Sequence, residues 1–296
     1  MITLHTETEQ IRREIESMLY GLGFLCRVFG RSKSCDSLNK KLKRDPDKYK
    51  LGGRLIQDLI GIRVVLYFQE DIEIVKKILC MKYVFDSASS TIDLPDTDQF
   101  CVSRFNLVFK IPDQYSKEFI RQTKGNPIDT SFEIQLRSML SEGWHEVEHD
   151  LRYKSKDSWA GQHDLSRALN GIMATLETSE WTMNRIFDDL AYRHYKNKNW
   201  SGMLQNKFRM RVEAKLSDNL TALFDGDNNI AKEMFRVEKS LLILKIQAIY
   251  LNLPINLDNL IYVWNYYFFK NTKIHELTPK LILEMLNDNE GVQSFV

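Results

Sequence analysis

Long apolar runs are missing from this chain of 296 residues. None approaches the roughly 20 residues that a membrane span requires, so no membrane partner is expected. Cysteine is sparse as well: Cys26, Cys35, Cys80 and Cys101 stand far apart with no C-x-x-C pair among them. That spacing excludes a zinc ribbon and, with no secretory leader ahead of it, predicts reduced thiols in a cytoplasmic protein. An excess of charge is lacking too, because 41 Lys and Arg face 40 Asp and Glu and leave a formal net charge of +1. No global field attracts phosphates, and any binding of them must come from a local cluster. There is no G-x-x-x-x-G-K-[ST] loop, which argues against ordinary P-loop kinase chemistry. Internal repeats and low-complexity tracts are also absent. What the chain does have is 43% hydrophobic and 11% aromatic residues, enough for a substantial core in one large domain or in a catalytic domain with an accessory one.

Periodicity divides the chain. Ile11, Ile15, Met18, Leu19 and Leu22 recur at helical spacing over residues 7–22 and lead into the strand-like run FLCRVF. IGIRVVLYF has the β-branched and aromatic content of a buried strand, and DIEIVKKIL after it reads as a helix. Residues 83–98 read as a loop-rich excursion. FNLVFKIP predicts a strand stopped by Pro112, and SFEIQLRSML a strand running straight into a helix. Beyond about Lys156 the segments LSRALNGIMATLETSEWTMNRIFDDLAYR and AKEMFRVEKSLLILKIQAIYLNL are apolar at helical intervals and nearly free of proline and glycine. The expectation is an α+β fold, a mixed β-sheet flanked by helices over residues 1–195, with an all-α accessory region over 196–296. The polar segment HYKNKNWSG, His194 to Gly202, marks the seam.

Four motifs carry candidate chemistry. Arg31, Lys33, Ser37 and Lys41 form R-x-K-x-x-x-S-x-x-x-K in the chain's main basic stretch. They offer a polyphosphate several cations and a hydroxyl, and the arginine plane can stack on a purine. The bland alternative is a solvated lysine-rich face. Asp58 and Arg63, in D-L-I-G-I-R, open a hydrophobic strand where aspartate is a poor strand former. Asp58 is there either as a turn residue or as a hard carboxylate ligand for Mg²⁺. Glu133, Gln135 and Arg137 alternate with Ile134 and Leu136, which puts three long polar side chains on one strand face. The last motif, HEVEHDLRYK, contains H-E-x-x-H. His145 and His149 stand one helical turn apart, with Glu146 between them and His163, Glu177 or Glu180 as a third zinc ligand. Its bland alternative is an amphipathic helix with Trp144, Val147 and Leu151 on a core. DGDNN at 225–229 begins like a calcium loop but lacks the glycine and the glutamate, and IYVWNYYFF at 261–269 reads as core packing of a helical layer in preference to a partner-binding aromatic stripe.

The order R-x-K-x-x-x-S-x-x-x-K, D-L-I-G-I-R, E-I-Q-L-R and E-H-D-L-R-Y-K resembles the RelA/SpoT alarmone synthetases, the GTP diphosphokinases that make (p)ppGpp. The resemblance covers roughly Leu22 to Lys154. It implies a nucleotidyltransferase-like synthetase domain that transfers the β,γ-pyrophosphate of ATP to the 3′-hydroxyl of GDP or GTP. By this resemblance Arg31 and Lys33 hold ATP, and Ser37 and Lys41 complete the phosphate loop. Asp58 and Glu133 manage Mg²⁺, with Glu133 also taking the acceptor's proton, while Arg63, Gln135 and Arg137 shape the site. It also accounts for Trp144, Glu148, His149, Tyr153 and Lys154 without zinc.

One segment departs from the family pattern. Where G-Y-x-S-x-H is usual, this chain has QFCVSRF: Ser103 can be matched, and only Phe100 or Phe105 offers a stacking ring, by a shifted alignment. The acceptor is therefore left open between GDP, GTP, another nucleotide and the 3′ end of tRNA, the last resembling toxic small alarmone synthetases. The family's hydrolase half precedes the synthetase motifs and is not expected here. A non-catalytic nucleotide-sensing protein is the reading from another class. For the C-terminal helices the uses left open are tRNA recognition, self-association and restraint by a regulatory partner.

Overall fold

The computed structural model describes residues 4–44, 48–93, 104–213, 215–249 and 253–289. The chain divides into two compact units, one of residues 1–18 and 26–180, the other of 19–25 and 181–296. The division falls within a long helix, ahead of the polar seam read from the sequence.

The first unit is built on five strands: β1 (Cys26–Ser32), β2 (Ile60–Leu66), β3 (Phe85–Asp93), β4 (Arg104–Lys110) and β5 (Ser131–Ser138). They lie in the order β1-β2-β5-β4-β3. β2 and β5 run parallel and every other pair is antiparallel, so the sheet is mixed. The helices are α1 (His5–Gly21), α2 (Cys35–Arg44), α3 (Asp71–Lys82), α4 (Asp113–Thr123), α5 (Met139–Val147) and α6 (His163–Lys196). A π-helical turn over Glu148–Tyr153 extends α5.

Residues 85–93, read from sequence as loop, are a strand. FDSASSTID has no apolar alternation and none of its residues is fully buried, because β3 is an edge of the sheet and pairs only with β4, with a bulge between Asp86 and Thr91. An edge strand draws its stability from the backbone ladder, so its sequence carries little hydrophobic signal.

One face of the sheet is apolar. Val28, Ile60, Ile62, Val64, Leu107, Phe109, Phe132, Ile134 and Leu136 are all buried there, as the two-residue period of a strand requires. Helices α1 and α3 supply the opposing layer with Ile11, Ile15, Ile74, Val75, Ile78 and Leu79. Contact between α1 and β1 is close: a Cβ added at Gly30 would meet Thr8 Cγ2 at 3.2 Å and Arg12 Cβ at 3.3 Å. Tyr83, Phe109 and Phe132 form a ring cluster with centroids 5.4 to 5.9 Å apart, Tyr83 standing edge-on to both phenylalanines. Phe132→Ala should destabilise this unit by about 3–5 kcal/mol, the usual cost of emptying a buried phenyl site. Urea unfolding of the full chain would show it, and an unchanged midpoint would mean that the cluster is not part of a cooperative core.

The second unit is helical, as its periodicity predicts. After α6 come α7 (Trp200–Phe208), α8 (Asp218–Gly226), α9 (Asn228–Phe235), α10 (Lys239–Ala248), α11 (Leu257–Trp264), α12 (Thr272–Leu277) and α13 (Lys280–Asp288). Asn199 caps α7 by accepting from Gly202 N–H, so the polar seam serves as a helix start. Asp227 of DGDNN caps α9 and pairs with Lys273 at 3.0 Å. Ile261, Tyr262 and Val263 of the aromatic stripe are buried, so this part of the stripe belongs to the core. No helix among the described residues is long and apolar enough to cross a membrane.

Candidate active site

The opposite sheet face is polar, and it gathers three of the four motifs. On β5 the residues facing away from the helix layer are Glu133, Gln135 and Arg137; Gly61 and Arg63 lie beside the first two on β2. Arg31 lies beside Gly61 on β1, and Asn106 beside Gln135 on β4. The side chains share a face because each strand alternates and neighbouring strands are held in register.

The basic motif reaches this face from the end of β1. Lys33 N–H donates to Leu59 O at 2.8 Å, which ties the turn after β1 to the segment entering β2. Its Nζ then donates to Asp58 Oδ2 at 2.5 Å. Ser34 begins α2: its Oγ accepts from Ser37 N–H at 3.2 Å and lies 2.9 Å from Ser37 Oγ. Lys41, one turn further along α2, sends Nζ back to Asp58 Oδ1 at 3.0 Å and Oδ2 at 3.1 Å. Two lysines separated from Asp58 in sequence thus converge on one carboxylate. Tyr49 closes the cluster, with Lys41 Nζ 5.1 Å from its ring centroid.

The electrostatics follow from that convergence. Burial by itself would raise the Asp58 pKa, but hydrogen bonds and charge from Lys33 and Lys41 hold it below the ordinary aspartate value. Lys33 is pulled below its ordinary value, because burial outweighs its bond to Asp58. For Lys41 burial also works against the charge, yet Asp58 and Tyr49 more than offset it and the pKa is raised. Asp58 is an anion already neutralised, with more than one cation within reach.

Arg63 is held from α5. Its Nη1 donates to Glu142 Oε1 at 2.5 Å and also to Glu146. Burial disfavours its charge, but the two carboxylates raise its pKa above the ordinary arginine value. Gln135 Nε2 donates to Glu133 Oε1 at 2.6 Å. Arg137 is only 7% exposed; Nη2 donates to Asn106 Oδ1 and Nη1 to Leu136 O, both at 2.8 Å, so it braces the sheet face. Glu180 on α6 is buried, with Ser138 Oγ and the backbone N–H groups of Leu140 and Ser141 turned to its carboxylate; burial nonetheless pushes its pKa up. It anchors the start of α5, and through α5 the carboxylates that hold Arg63.

Of the fourth motif only Glu146, bonded to Arg63, reaches this face; the rest stands apart. His149 and Tyr153 stack with centroids 5.8 Å apart and planes 11° from parallel, and Lys154 Nζ donates to Asp150 at 2.6 Å, all on the exposed π-helical turn. α5 ends at Val147, so His145 and His149 fall in different helical geometries. Among the described residues no three His, Cys, Asp or Glu side chains form a metal cluster. Phe105 is 4% exposed, in register with Leu136 on the helix-covered face and under Lys76; it is a core residue and not a stacking ring on the polar face. Phe100 and Ser103 lie outside the described residues.

Several members of this face were not singled out from sequence: Asn106, Tyr49, Glu142 and the exposed ring of Phe29. None belongs to a motif. Only the register and the fold of α2 and α5 bring them to the polar face.

Residues 30–158 match the family described as the region found in RelA / SpoT proteins. The chain is similar to GTP pyrophosphokinase YjbM of Bacillus subtilis (strain 168), with 27% identity over 128 residues, which make up 43% of this chain and 56% of that protein. It therefore spans about half the length of this curated relative. Among solved structures it is similar to small alarmone synthetase 1 from Bacillus subtilis bound to its product pppGpp, at 22% identity and a TM-score of 0.45, covering 61% of this chain and 90% of that one. It is also similar to a GTP pyrophosphokinase family protein from Streptococcus pneumoniae, at 20% identity and a TM-score of 0.45, covering 62% and 88%.

Proposed function

From the match of residues 30–158 to the RelA/SpoT region we propose that the chain is a cytoplasmic pyrophosphokinase that transfers the β,γ-pyrophosphate of ATP to the 3′-hydroxyl of GDP or GTP. One observation carries the reading: Asp58, bound by both Lys33 and Lys41, lies just ahead of the strand that aligns with Glu133. A carboxylate at each of two neighbouring strand starts, with cations arranged round one of them, is a donor set suited to a magnesium nucleotide.

Mg²⁺ fits Asp58 and Glu133 by chemistry, being a hard cation that takes one or two protein carboxylates and fills its other positions from substrate phosphates and water; when bound it supplies neutralisation of the triphosphate charge. The chain's own residues do the rest. Lys33 and Lys41 neutralise Asp58 and are the cations offered there to an incoming triphosphate. Arg31 lies exposed on the same face as a further phosphate or base contact. Glu133 accepts the proton of the acceptor 3′-hydroxyl as its oxygen attacks the β-phosphorus. A bond forms from that oxygen to the β-phosphorus, the bond from the β-phosphorus to the α,β-bridging oxygen breaks, and AMP leaves with that oxygen. Gln135, bonded to Glu133, and Arg137, bonded to Asn106, keep the β5 carboxylate in place.

The test is incubation of the purified chain with Mg²⁺ and ATP labelled at the γ-phosphate, with GDP, GTP and bulk tRNA as parallel acceptors and Glu133→Gln as background. Label on a guanine nucleotide is the expected result. Label on tRNA alone would replace the acceptor and keep the chemistry, whereas no label above background would leave a nucleotide-binding protein without transfer.

A further inference from the structure

Phe29 is out of place for a core residue and well placed for a ligand. It sits in the middle of β1 and is 56% exposed, while its neighbours Cys26 and Val28, which face the helices, are buried. It therefore points to the polar face of the sheet. Two residues away in each direction on that face stand Arg27 and Arg31, both exposed, and across the ladder its register partner is Arg63. An exposed phenyl ring with Arg27 and Arg31 on its own strand face, and with Arg63, which is turned to Glu142 and Glu146, across the ladder, is an apolar, flat surface in a cationic stretch. The ligand it suits is flat, aromatic and attached to negative charge.

The direction of β1 orders the parts of such a ligand. From Phe29 the polar face runs through Arg31 to Lys33 at the strand's end, where Lys33 and Lys41 meet Asp58. Four residues at ~3.3 Å each make this path about 13 Å long, a span that an extended nucleoside triphosphate can bridge. We propose that Phe29 is a stacking contact for the base of the donor nucleotide, beside Arg31, with the phosphates of that nucleotide ending at Lys33 and Lys41. This deepens the reading of the face as a pyrophosphokinase site and rests on it. Phe29 precedes the matched family region, which begins at residue 30, so the comparison assigns it no role.

A protein partner is the competing use of an exposed apolar side chain. The neighbouring arginines disfavour it, since the apolar centre of a protein interface is depleted of charge, whereas stacking of a base on a ring tolerates and gains from neighbouring cations.

The experiment is calorimetric titration of the intact chain with the magnesium complex of α,β-methylene-ATP, which cannot be cleaved at the transfer bond, and separately with inorganic tripolyphosphate. Phe29→Ala should bind the ATP analogue about tenfold more weakly, the scale of one lost base-to-ring stack. Tripolyphosphate affinity should stay within about twofold, because it carries no base. Phe29→Trp should restore analogue binding, and in transfer assays Phe29→Ala should raise KM for ATP and leave kcat unchanged. Unaltered analogue affinity in Phe29→Ala would overturn the proposal, as would equal weakening for both ligands with no rescue by tryptophan. Wild-type protein that binds neither ligand would overturn the site reading itself, a separate result from wild type binding and Phe29→Ala matching it.

Discussion

Replacing Glu133 by Gln is expected to slow pyrophosphate transfer by about 10²–10⁴-fold, the usual contribution of a positioned general base. The substitution keeps the volume of the side chain, and its carbonyl oxygen can still accept the 2.6 Å bond that Gln135 gives to Glu133 Oε1. What it removes is the capacity to take a proton and one carboxylate charge. β5 lies between β2 and β4 with its apolar residues buried, so the strand has no reason to shift. Thermal stability and affinity for tripolyphosphate should therefore stay close to wild type while kcat collapses. Steady-state kinetics with the identified acceptor, beside a thermal melt, separate these quantities. A variant that transfers at the wild-type rate would take Glu133 out of the chemistry and leave it as a strand residue on a polar face.

The second large effect is expected at Asp58. Asp58→Asn removes the carboxylate on which Lys33 and Lys41 converge and leaves two ammonium groups near a neutral amide. On the proposed role of Asp58 in holding Mg²⁺, transfer should fall by about three orders of magnitude, since loss of such a carboxylate forfeits several kcal/mol of charge stabilisation in the transition state. Unlike Glu133→Gln, this change should also be felt in the free protein. Asp58 is 34% exposed and water screens the pair, so the stability cost should be about 1 kcal/mol rather than that of a fully buried ion pair. The pH dependence has a definite sign. Asp58 titrates below its ordinary value of 3.8 in the folded chain. Its contribution is thus fully present above that value and is lost as the pH falls through the folded pKa. Wild type and Asp58→Asn should differ in unfolding free energy near neutrality and converge in strong acid. A gap that stays constant down to the acid transition would show that the two lysines do not stabilise the ionised form.

These expectations draw unequally on sequence and structure. IGIRVVL and SFEIQLRS announce buried strands because both central strands lie under the helix layer and must carry apolar residues at every second position. Most C-terminal helices are legible for the same reason, one face being packed in a core, whereas α10 is buried all round from Leu242 to Ile246 and reads as an apolar run. β3 is not legible: an edge strand half open to water has no apolar period to read. Nor is the difference between Phe29 and Phe105. Both are phenylalanines in predicted strands, yet one is exposed among arginines and the other is buried under Lys76. Which face a strand turns to its helices depends on register with its neighbours, and a one-residue change would exchange the two outcomes.

By itself the sequence determined the kinds of group available: a basic stretch, two isolated carboxylates before and within strands, and an alternating E-I-Q-L-R. These follow from local composition and period, which need no knowledge of neighbours. Only the tertiary structure decided that Lys33 and Lys41 meet on Asp58, that Arg63 is held by Glu142 and Glu146, and that Arg137 is spent on Asn106. The reason is the range of the interactions. Ion pairs and hydrogen bonds act over a few ångströms, and partners 17 to 83 residues apart come that close only through strand pairing and helix packing.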